Sequence, residues 1–218
     1  MKNVRVFFKK DGPCKYISHL DLNRVMLRAV GKSRLDIWHT EGFHQHAYIT
    51  FALPLSLGFA SGCESMDFRL LDDSADLTAI PDQLNACLPD GVRVFKCAEA
   101  KYKPADIDSA TYSVTLEPMN AADISTKELY SKLGDFLNLP AINVEKKTKK
   151  GMKTIDLKSY ILDSSLADST LTLRLPAGAT LNINPSLLIS AFSDHIGVEL
   201  HSNVTRTGIF TKEGKPFE

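Results

Sequence analysis

The stretch that decides the fold is SHLDLNRVMLRAVG, residues 18–31. Its apolar residues follow the i, i+3, i+4, i+7, i+8 spacing of an amphipathic helix with one buried face: Leu22, Val25, Met26, Ala29 and Val30. Ser18 with Asp21 three residues later is typical of a helix start, because the hydroxyl can cap a free backbone amide. Gly31 predicts the helix end, since glycine tolerates the left-handed backbone of a C-cap.

Strand-like segments flank this helix. Residues 4–8 precede it and end in a Lys-Lys-Asp-Gly-Pro turn, and residues 35–40, 64–71 and 92–95 predict three further strands. Between the last two strands, a second helix is predicted from the spacing of Leu77, Ile80, Leu84 and Leu88. The resulting order, β-α-β-β-α-β, is that of a ferredoxin-like unit.

The same order of elements returns in the second half of the chain. Strands are predicted at residues 112–116, 142–144, 171–175 and 198–204. Helices are predicted after the Ser125 and Glu128 capping box and after Asn184-Pro185. We therefore expect an α+β protein made of two tandem ferredoxin-like domains, residues 1–99 and 110–218, with a linker near residues 98–109 and a long apolar loop inserted in the first domain.

Composition narrows the class of protein. The 218 residues carry no net charge and are 44% hydrophobic, which suits a globular protein with real cores. No apolar run approaches the length of a membrane span, and the four cysteines lack metal-ligand spacing. Nucleotide-binding loops, zinc-protease motifs and serine-hydrolase motifs are absent from the sequence. These observations predict a cytoplasmic protein with reduced thiols, without a membrane segment, a metal or a cofactor.

The inserted loop, EGFHQHAYITFALPLSLG at residues 41–58, is longer than compact domains usually contain. Its apolar half alternates and predicts an extra hairpin or edge strand packed on the sheet. His44 and His46 would share one face of an extended chain and so permit a common ligand: a metal ion, a phosphate or a carboxylate. His19 could supply a third ligand, although its position in the apolar stripe favours a packing role.

A family resemblance covers residues 1–70 most specifically. The segments SHLD at 18–21, EGF at 41–43 and ITFALPLSLG at 49–58, with Glu64 and Asp67, resemble the radical SAM-linked family. This is a bacterial family of unknown function, whose members occur alone or fused to the C-terminal side of radical SAM proteins. The resemblance returns at residues 149–157 and 206–208, and it implies a radical SAM protein as a partner. The cluster motif Cys-x3-Cys-x2-Cys is absent, so this chain alone cannot perform radical SAM chemistry.

Residues 145–153, EKKTKKGMK, hold the densest charge in the chain. They predict either a solvated turn whose lysines protect strand edges or a hairpin that contacts phosphates. Arg206, on the last predicted strand, could reach the same surface. Aromatic residues for base stacking are missing from the hairpin itself.

Three functions remain open at this point. The first is a noncatalytic adaptor that binds RNA, but not DNA, or another substrate for a radical SAM enzyme. The second is a protein–protein module that docks on that enzyme through the apolar loop. The third is a histidine-centred hydrolase, nuclease or metal-dependent enzyme. The candidate binding residues are His19, Asp21, Arg24, Glu41, His44, His46, Glu64, Lys149, Lys150, Lys153 and Arg206.

Overall fold

A large mixed sheet organises the computed structural model, which describes residues 1–119, 124–148 and 151–218. The elements of the first half are β1 (Lys2–Lys10), α1 (His19–Ser33), β2 (Ile49–Phe51), β3 (Ala60–Leu70), α2 (Ile80–Asn85) and β4 (Val92–Glu99). Those of the second half are β5 (Ile107–Pro118), α3 (Thr126–Leu137), β6 (Asn143–Thr148), β7 (Gly151–Asp156), β8 (Asp163–Ala167), β9 (Thr170–Pro176), α4 (Pro185–Ile196) and β10 (Leu200–Thr211). The fold is therefore of the mixed α+β class.

The order of strands joins the two halves edge to edge. The main sheet runs β4-β1-β3-β10-β5-β9-β8, with β2 also paired to β3. Every pairing in it is antiparallel except that of β3 with β10, which is parallel and joins Ala60 to Thr205 and Ser61 to Arg206. The hairpin of β6 and β7 forms a separate two-stranded sheet.

Two apolar cores lie under the helices. The first packs α1 and α2 on β1, β3 and β4, and the second packs α3 and α4 on β5, β9 and β10. The connection between β2 and β3 belongs to the second core, where Leu53, Leu55 and Phe59 are buried. It therefore crosses the junction between the halves and fastens them together.

The first helix confirms the spacing argument and corrects its end. Ser18 caps it by accepting a hydrogen bond from the backbone amide of Asp21, and the buried residues are Leu22, Met26, Ala29 and Val30. The helix continues past Gly31 to Ser33, and Arg34 adopts the left-handed backbone at φ 60°. The prediction that Gly31 ends the helix was wrong, because the C-cap conformation falls three residues later. The predicted caps at Ser125 and Asn184 are confirmed.

Two predicted strands are placed differently. Residues 35–40 form isolated bridges, Ile37 with Leu70 and His39 with Ala47, and the strand beside β3 is β2. Residues 142–144 enter the separate β6–β7 hairpin, while β8 takes the place beside β9. The apolar half of the loop was predicted to add an extra hairpin or edge strand; its residues 49–51 do form β2, but β2 replaces the strand predicted at 35–40 and is not additional to it. Among the described residues, no helix is both long and apolar enough to cross a membrane.

Candidate functional site

The face of β1 and β3 that points away from the helices carries polar side chains in rows. Asn3 lies opposite Arg69, and Asp67 lies opposite Arg5 on one side and Thr50 on the other. Residues directly opposite in an antiparallel pair point to the same side of the sheet. These five side chains therefore share one surface, which we call the helix-free face.

A pocket of about 370 Å³ opens on this face. Tyr48, Thr50 and Arg69 line it from the sheet, and Lys101, Tyr102 and Lys103 line it from the segment between β4 and β5. The volume is within the range of small-ligand pockets. We call it the aromatic–cationic pocket.

Two lining residues, Tyr48 and Arg69, both contact the Trp38 ring. Trp38 and Tyr48 meet edge to face with centroids 5.5 Å apart, and the guanidinium carbon of Arg69 lies 5.5 Å from the Trp38 ring. Backbone hydrogen bonds hold these three residues side by side. The Trp38 amide donates to the Arg69 carbonyl, and the Tyr48 amide donates to the Trp38 carbonyl. Because Tyr48 is 45% exposed, its ring is available for stacking by a planar ligand.

The charge of the pocket is positive. Asp67 is the one acid among its described lining residues, and both of its oxygens accept hydrogen bonds from Arg5, at 2.7 and 2.8 Å. Arg5 also donates to the Tyr102 carbonyl at 2.8 Å and is fully buried. With Asp67 neutralised, the side chains of Arg69, Lys101 and Lys103 leave a cationic rim.

A second polar cluster lies at the junction of the halves. Glu64 and Arg206 are 3.1 Å apart, and each side chain is only 3% exposed. Arg206 also donates to the Leu53 and Pro54 carbonyls, at 3.1 and 2.9 Å. The ion pair thus holds β10, β3 and the inserted connection in one place. We call it the junction cluster.

Burial also shifts the pKa values of titratable groups near this cluster. Burial lowers the pKa of Lys10, whose ammonium donates to the Ile17 carbonyl at 3.0 Å, and Glu64 opposes that shift. Burial likewise lowers the pKa of His19, whose ring meets Phe51 edge to face at 5.0 Å. Burial also raises the pKa of the Cys63 thiol to about 11, so that it stays protonated and unreactive at neutral pH.

The space beside the junction cluster is too small for a substrate. A cavity lined by Tyr112, Asn184 and Arg206 measures about 30 Å³, room for roughly one water molecule. Burial raises the pKa of Tyr112, with Arg206 opposing the shift. The geometry therefore suits a structural clamp better than a reaction centre.

The predicted site residues fall into separate groups. Glu64 and Arg206 form the junction cluster, and His19 lies near enough for the Glu64 charge to act on its pKa. Asp21 and Arg24 form an exposed ion pair at 3.0 Å on α1, and hydrogen bonds from Ser18 and then Arg24 lower the pKa of Asp21. They lie on the solvent side of the helix.

The segment 41–46 is exposed along its whole length and includes Glu41, His44 and His46. The Nδ1 atom of His46 lies 3.1 Å from the His44 carbonyl and 3.2 Å from the Thr40 hydroxyl. In the part of the chain that the structure describes, no group of three or more His, Cys, Asp or Glu side chains could hold a metal ion.

The lysine hairpin is described only in part. Lys149 and Lys150 lie outside the described residues, and Lys153 lies opposite Lys146 in the backbone pairing of β7 with β6. Whether these lysines bind a polyanion stays a prediction.

Sequence reasoning missed the aromatic–cationic pocket. Its one local signal is Lys-Tyr-Lys at residues 101–103, where an aromatic residue stands between two cations, but the sequence predicts only a linker there. Tyr48 and Arg69 gave no signal, because only the pairing of β2 with β3 brings them together.

Comparison with known proteins gives three kinds of match. A family model described as "Uncharacterized protein conserved in bacteria (DUF2344)" matches residues 3–185. Proteins named 8-amino-7-oxononanoate synthase, from Xylella fastidiosa strains M12, M23 and Temecula1 / ATCC 700964, are 29% identical over 107 residues. That match covers 47% of this chain and spans only 26% of each synthase. A solved structure titled "Crystal Structure of an Unknown Protein from Galdieria sulphuraria" is 11% identical, covers 93% of this chain and 98% of its own, and has a TM-score of 0.29.

Proposed function

The chain belongs to the DUF2344 family of uncharacterized proteins conserved in bacteria, and from that premise we propose that it is a noncatalytic module that binds single-stranded RNA. The binding surface is the aromatic–cationic pocket. The observation that carries the proposal is the exposed Tyr48 ring beside the cations of Arg69, Lys101 and Lys103 around one 370 Å³ pocket.

Each part of the pocket suits one part of a nucleotide. Single-stranded RNA is bound through bases that stack on aromatic rings and phosphates that meet lysine or arginine side chains. Tyr48 offers the ring, and Lys101 and Lys103 offer the cations. Asn3 and Thr50 add an amide and a hydroxyl that can hydrogen-bond a 2′-hydroxyl, which favours RNA over DNA.

Binding of a labelled RNA tests the proposal. Fluorescence anisotropy with a 12-nucleotide single-stranded RNA of mixed sequence is expected to show binding that weakens steeply with salt. Tyr48→Ala should weaken it about tenfold through loss of one stacked base. Arg69→Ala should weaken it and lower the salt dependence by about one phosphate contact.

Matched controls come from the same chain. Tyr16→Ala removes a tyrosine that is 62% exposed outside the pocket lining, and Arg93→Ala removes an exposed arginine of β4 opposite Lys9. Both should bind RNA like the wild type. If the wild type binds the RNA no better than a neutral control protein of similar size, the proposal is wrong.

The proposed architecture is a pair of tandem ferredoxin-like domains, residues 1–99 and 110–218. Two strand orders support it, β4-β1-β3-β2 in the first half and β10-β5-β9-β8 in the second, with the same antiparallel pairings. We propose that the module acts in the cytoplasm, on the strength of its scattered cysteines, and beside a radical SAM protein, on the strength of the sequence resemblance.

Docking on that partner is a second candidate function. Leu57, Leu20 and Tyr16 are each more than 60% exposed, at 63%, 64% and 62%, and a hydrogen bond from the Gly58 amide to the Lys15 carbonyl brings Leu57 near Tyr16. Leu53 and Leu55 of the same connection are buried and cannot take part. Leu57→Asp should abolish co-purification with the radical SAM protein while RNA binding persists. Unchanged co-purification would remove this candidate.

A further inference from the structure

A second pocket lies beside the Phe217 ring, and Phe7 places it on the same side of β1 as Asn3 and Arg5, the helix-free face. It measures about 310 Å³ and is lined by Phe7, Phe95, Phe210 and Phe217. Phe95 is 54% exposed, so its ring is accessible to a ligand in this pocket. We call this the phenylalanine pocket.

Two cationic side chains lie close to aromatic rings of the phenylalanine pocket. The ammonium of Lys96 lies 5.1 Å from the Phe7 ring centroid, and the guanidinium carbon of Arg174 lies 4.5 Å from that of Phe210. Aromatic rings flanked by cations suit a planar ligand that carries negative charge. A purely apolar ligand would gain no binding energy from the charges of Lys96 and Arg174.

Tyr102 and Phe217 lie between the two pockets, and Arg5 contacts both of them. The Tyr102 and Phe217 rings lie 6.3 Å apart, the first lining the aromatic–cationic pocket and the second the phenylalanine pocket. Arg5 lies 4.1 Å from the Phe217 ring centroid and donates to the Tyr102 carbonyl. The two pockets are therefore adjacent parts of one surface.

Glu218 marks an anion position between them. One oxygen of its carboxylate lies 3.5 Å from the ammonium of Lys96 and 4.0 Å from that of Lys101. Lys96 lines the phenylalanine pocket and Lys101 lines the aromatic–cationic pocket. Both lysines thus converge on a single negatively charged group, at the border where a strand crossing from pocket to pocket would place a phosphate.

We propose that the phenylalanine pocket is a second nucleobase subsite and that a phosphodiester of the same RNA strand displaces Glu218 from Lys96 and Lys101. This inference rests on the proposed function and deepens it, because it makes the ligand an oligonucleotide that spans two pockets. Glu218 then competes with the RNA backbone for two lysines.

The difference between Glu218→Gln and Glu213→Gln separates this inference from a general basic surface, on which the loss of either negative charge would tighten binding to a similar extent. With the same labelled 12-nucleotide RNA, Glu218→Gln should tighten binding about threefold, the usual strength of one exposed ion pair. Phe95→Ala should weaken binding about tenfold through loss of a stacked base. Glu213→Gln and Leu162→Ala, at exposed positions outside the lining of both pockets, are the matched controls and should bind like the wild type. Circular dichroism checks that each variant is folded.

The outcomes distinguish the two proposals. If Tyr48→Ala weakens binding while either Phe95→Ala or Glu218→Gln matches the wild type, the two-pocket inference is wrong and the proposed function stands. If the wild type fails to bind the RNA, the proposed function is wrong and the inference falls with it. Weaker binding by Phe95→Ala together with tighter binding by Glu218→Gln supports both.

Discussion

Two buried arginines, Arg5 and Arg206, are held by the same three kinds of partner. Each is paired with a carboxylate of β3, Asp67 for Arg5 and Glu64 for Arg206. Each donates to a backbone carbonyl of a long connection, and each lies over an aromatic ring from another part of the chain. Because the two carboxylates are three residues apart on one strand, they point to opposite faces of the sheet.

Exposure of the carboxylate separates the two sites. The Asp67 side chain is 23% exposed at the floor of the aromatic–cationic pocket, whereas that of Glu64 is 3% exposed between the halves. Water can solvate the first carboxylate when its partner is lost, but it cannot reach the second. The Arg5–Asp67 pair can therefore take part in a binding surface. The Arg206–Glu64 pair can only hold the two halves together.

The largest effect is expected from loss of the Glu64 charge. Glu64→Gln leaves the Arg206 guanidinium buried without a counter-charge, which should lower the free energy of unfolding by about 3–5 kcal/mol. Urea denaturation followed by circular dichroism measures it. Glu213→Gln breaks an exposed pair with Lys215 and is the control, with no measurable change expected. Equal, small losses in both variants would show that the junction cluster is solvated.

A smaller effect is expected when both partners of the junction pair are replaced. Arg206→Met with Glu64→Leu removes both charges and keeps similar volume, so the double variant should lose less stability than the two single variants added together. The coupling should be about 2 kcal/mol or more, because each single variant strands a buried charge. Additive losses in the denaturation curves would contradict a direct interaction.

A still smaller effect is expected at the other arginine. Asp67→Asn keeps one acceptor for Arg5 and leaves the site partly solvated, so stability should fall by about 2 kcal/mol or less. Denaturation under identical conditions allows direct comparison with Glu64→Gln. A loss at Asp67 that exceeds the loss at Glu64 would reverse the ranking by carboxylate exposure.

The smallest expected effect is a pH dependence of the stability that arises from His19, near the junction cluster. Burial holds the pKa of His19 below its ordinary value of 6.5, so the unfolded chain takes up a proton there before the folded chain does. Stability is therefore lost as pH falls below 6.5 toward the folded-state pKa of His19, although Glu64 and Lys10 also act on that ring. His19→Phe keeps an aromatic contact with Phe51 and should lose less stability than the wild type between pH 7.5 and 5.5.

Denaturant midpoints at the two pH values measure the difference. His201→Phe, at an exposed histidine of β10, is the control and should follow the wild-type pH dependence. Parallel pH profiles for the wild type and His19→Phe would mean that this ring titrates normally.

Local signals in the sequence predicted the helices well. The caps at Ser18, Ser125 and Asn184 act through hydrogen bonds within three residues, so the sequence alone determines them. Strands depend on distant partners instead. Residues 35–40 resemble a strand, but residues 49–51 occupy the position beside β3. β8 is exposed at every position and offered no alternation to detect.

The candidate site was only partly predictable, because its residues, like paired strands, come from distant parts of the chain. His19, Glu64 and Arg206 are residue types able to bind a ligand, but the fold makes Glu64 and Arg206 a buried clamp, with the half-buried His19 near Glu64. Tyr48, Arg69 and Lys101 come from separate segments whose meeting depends on tertiary pairing, and so does Trp38, which contacts the first two. A sequence pattern carries no information about such a meeting until the register of the strands is known.

The position of β10 has a consequence for the synthesis of the protein. It follows every other described strand in the chain, yet it lies in the middle of the sheet, between β3 and β5. A nascent chain on the ribosome can therefore assemble β1, β2, β3 and β4 early, but the Ala60–Ser61 end of β3 and one whole edge of β5 stay unpaired until β10 emerges. Until that moment the growing polypeptide exposes a template for aggregation, and we expect it to depend on chaperones during translation.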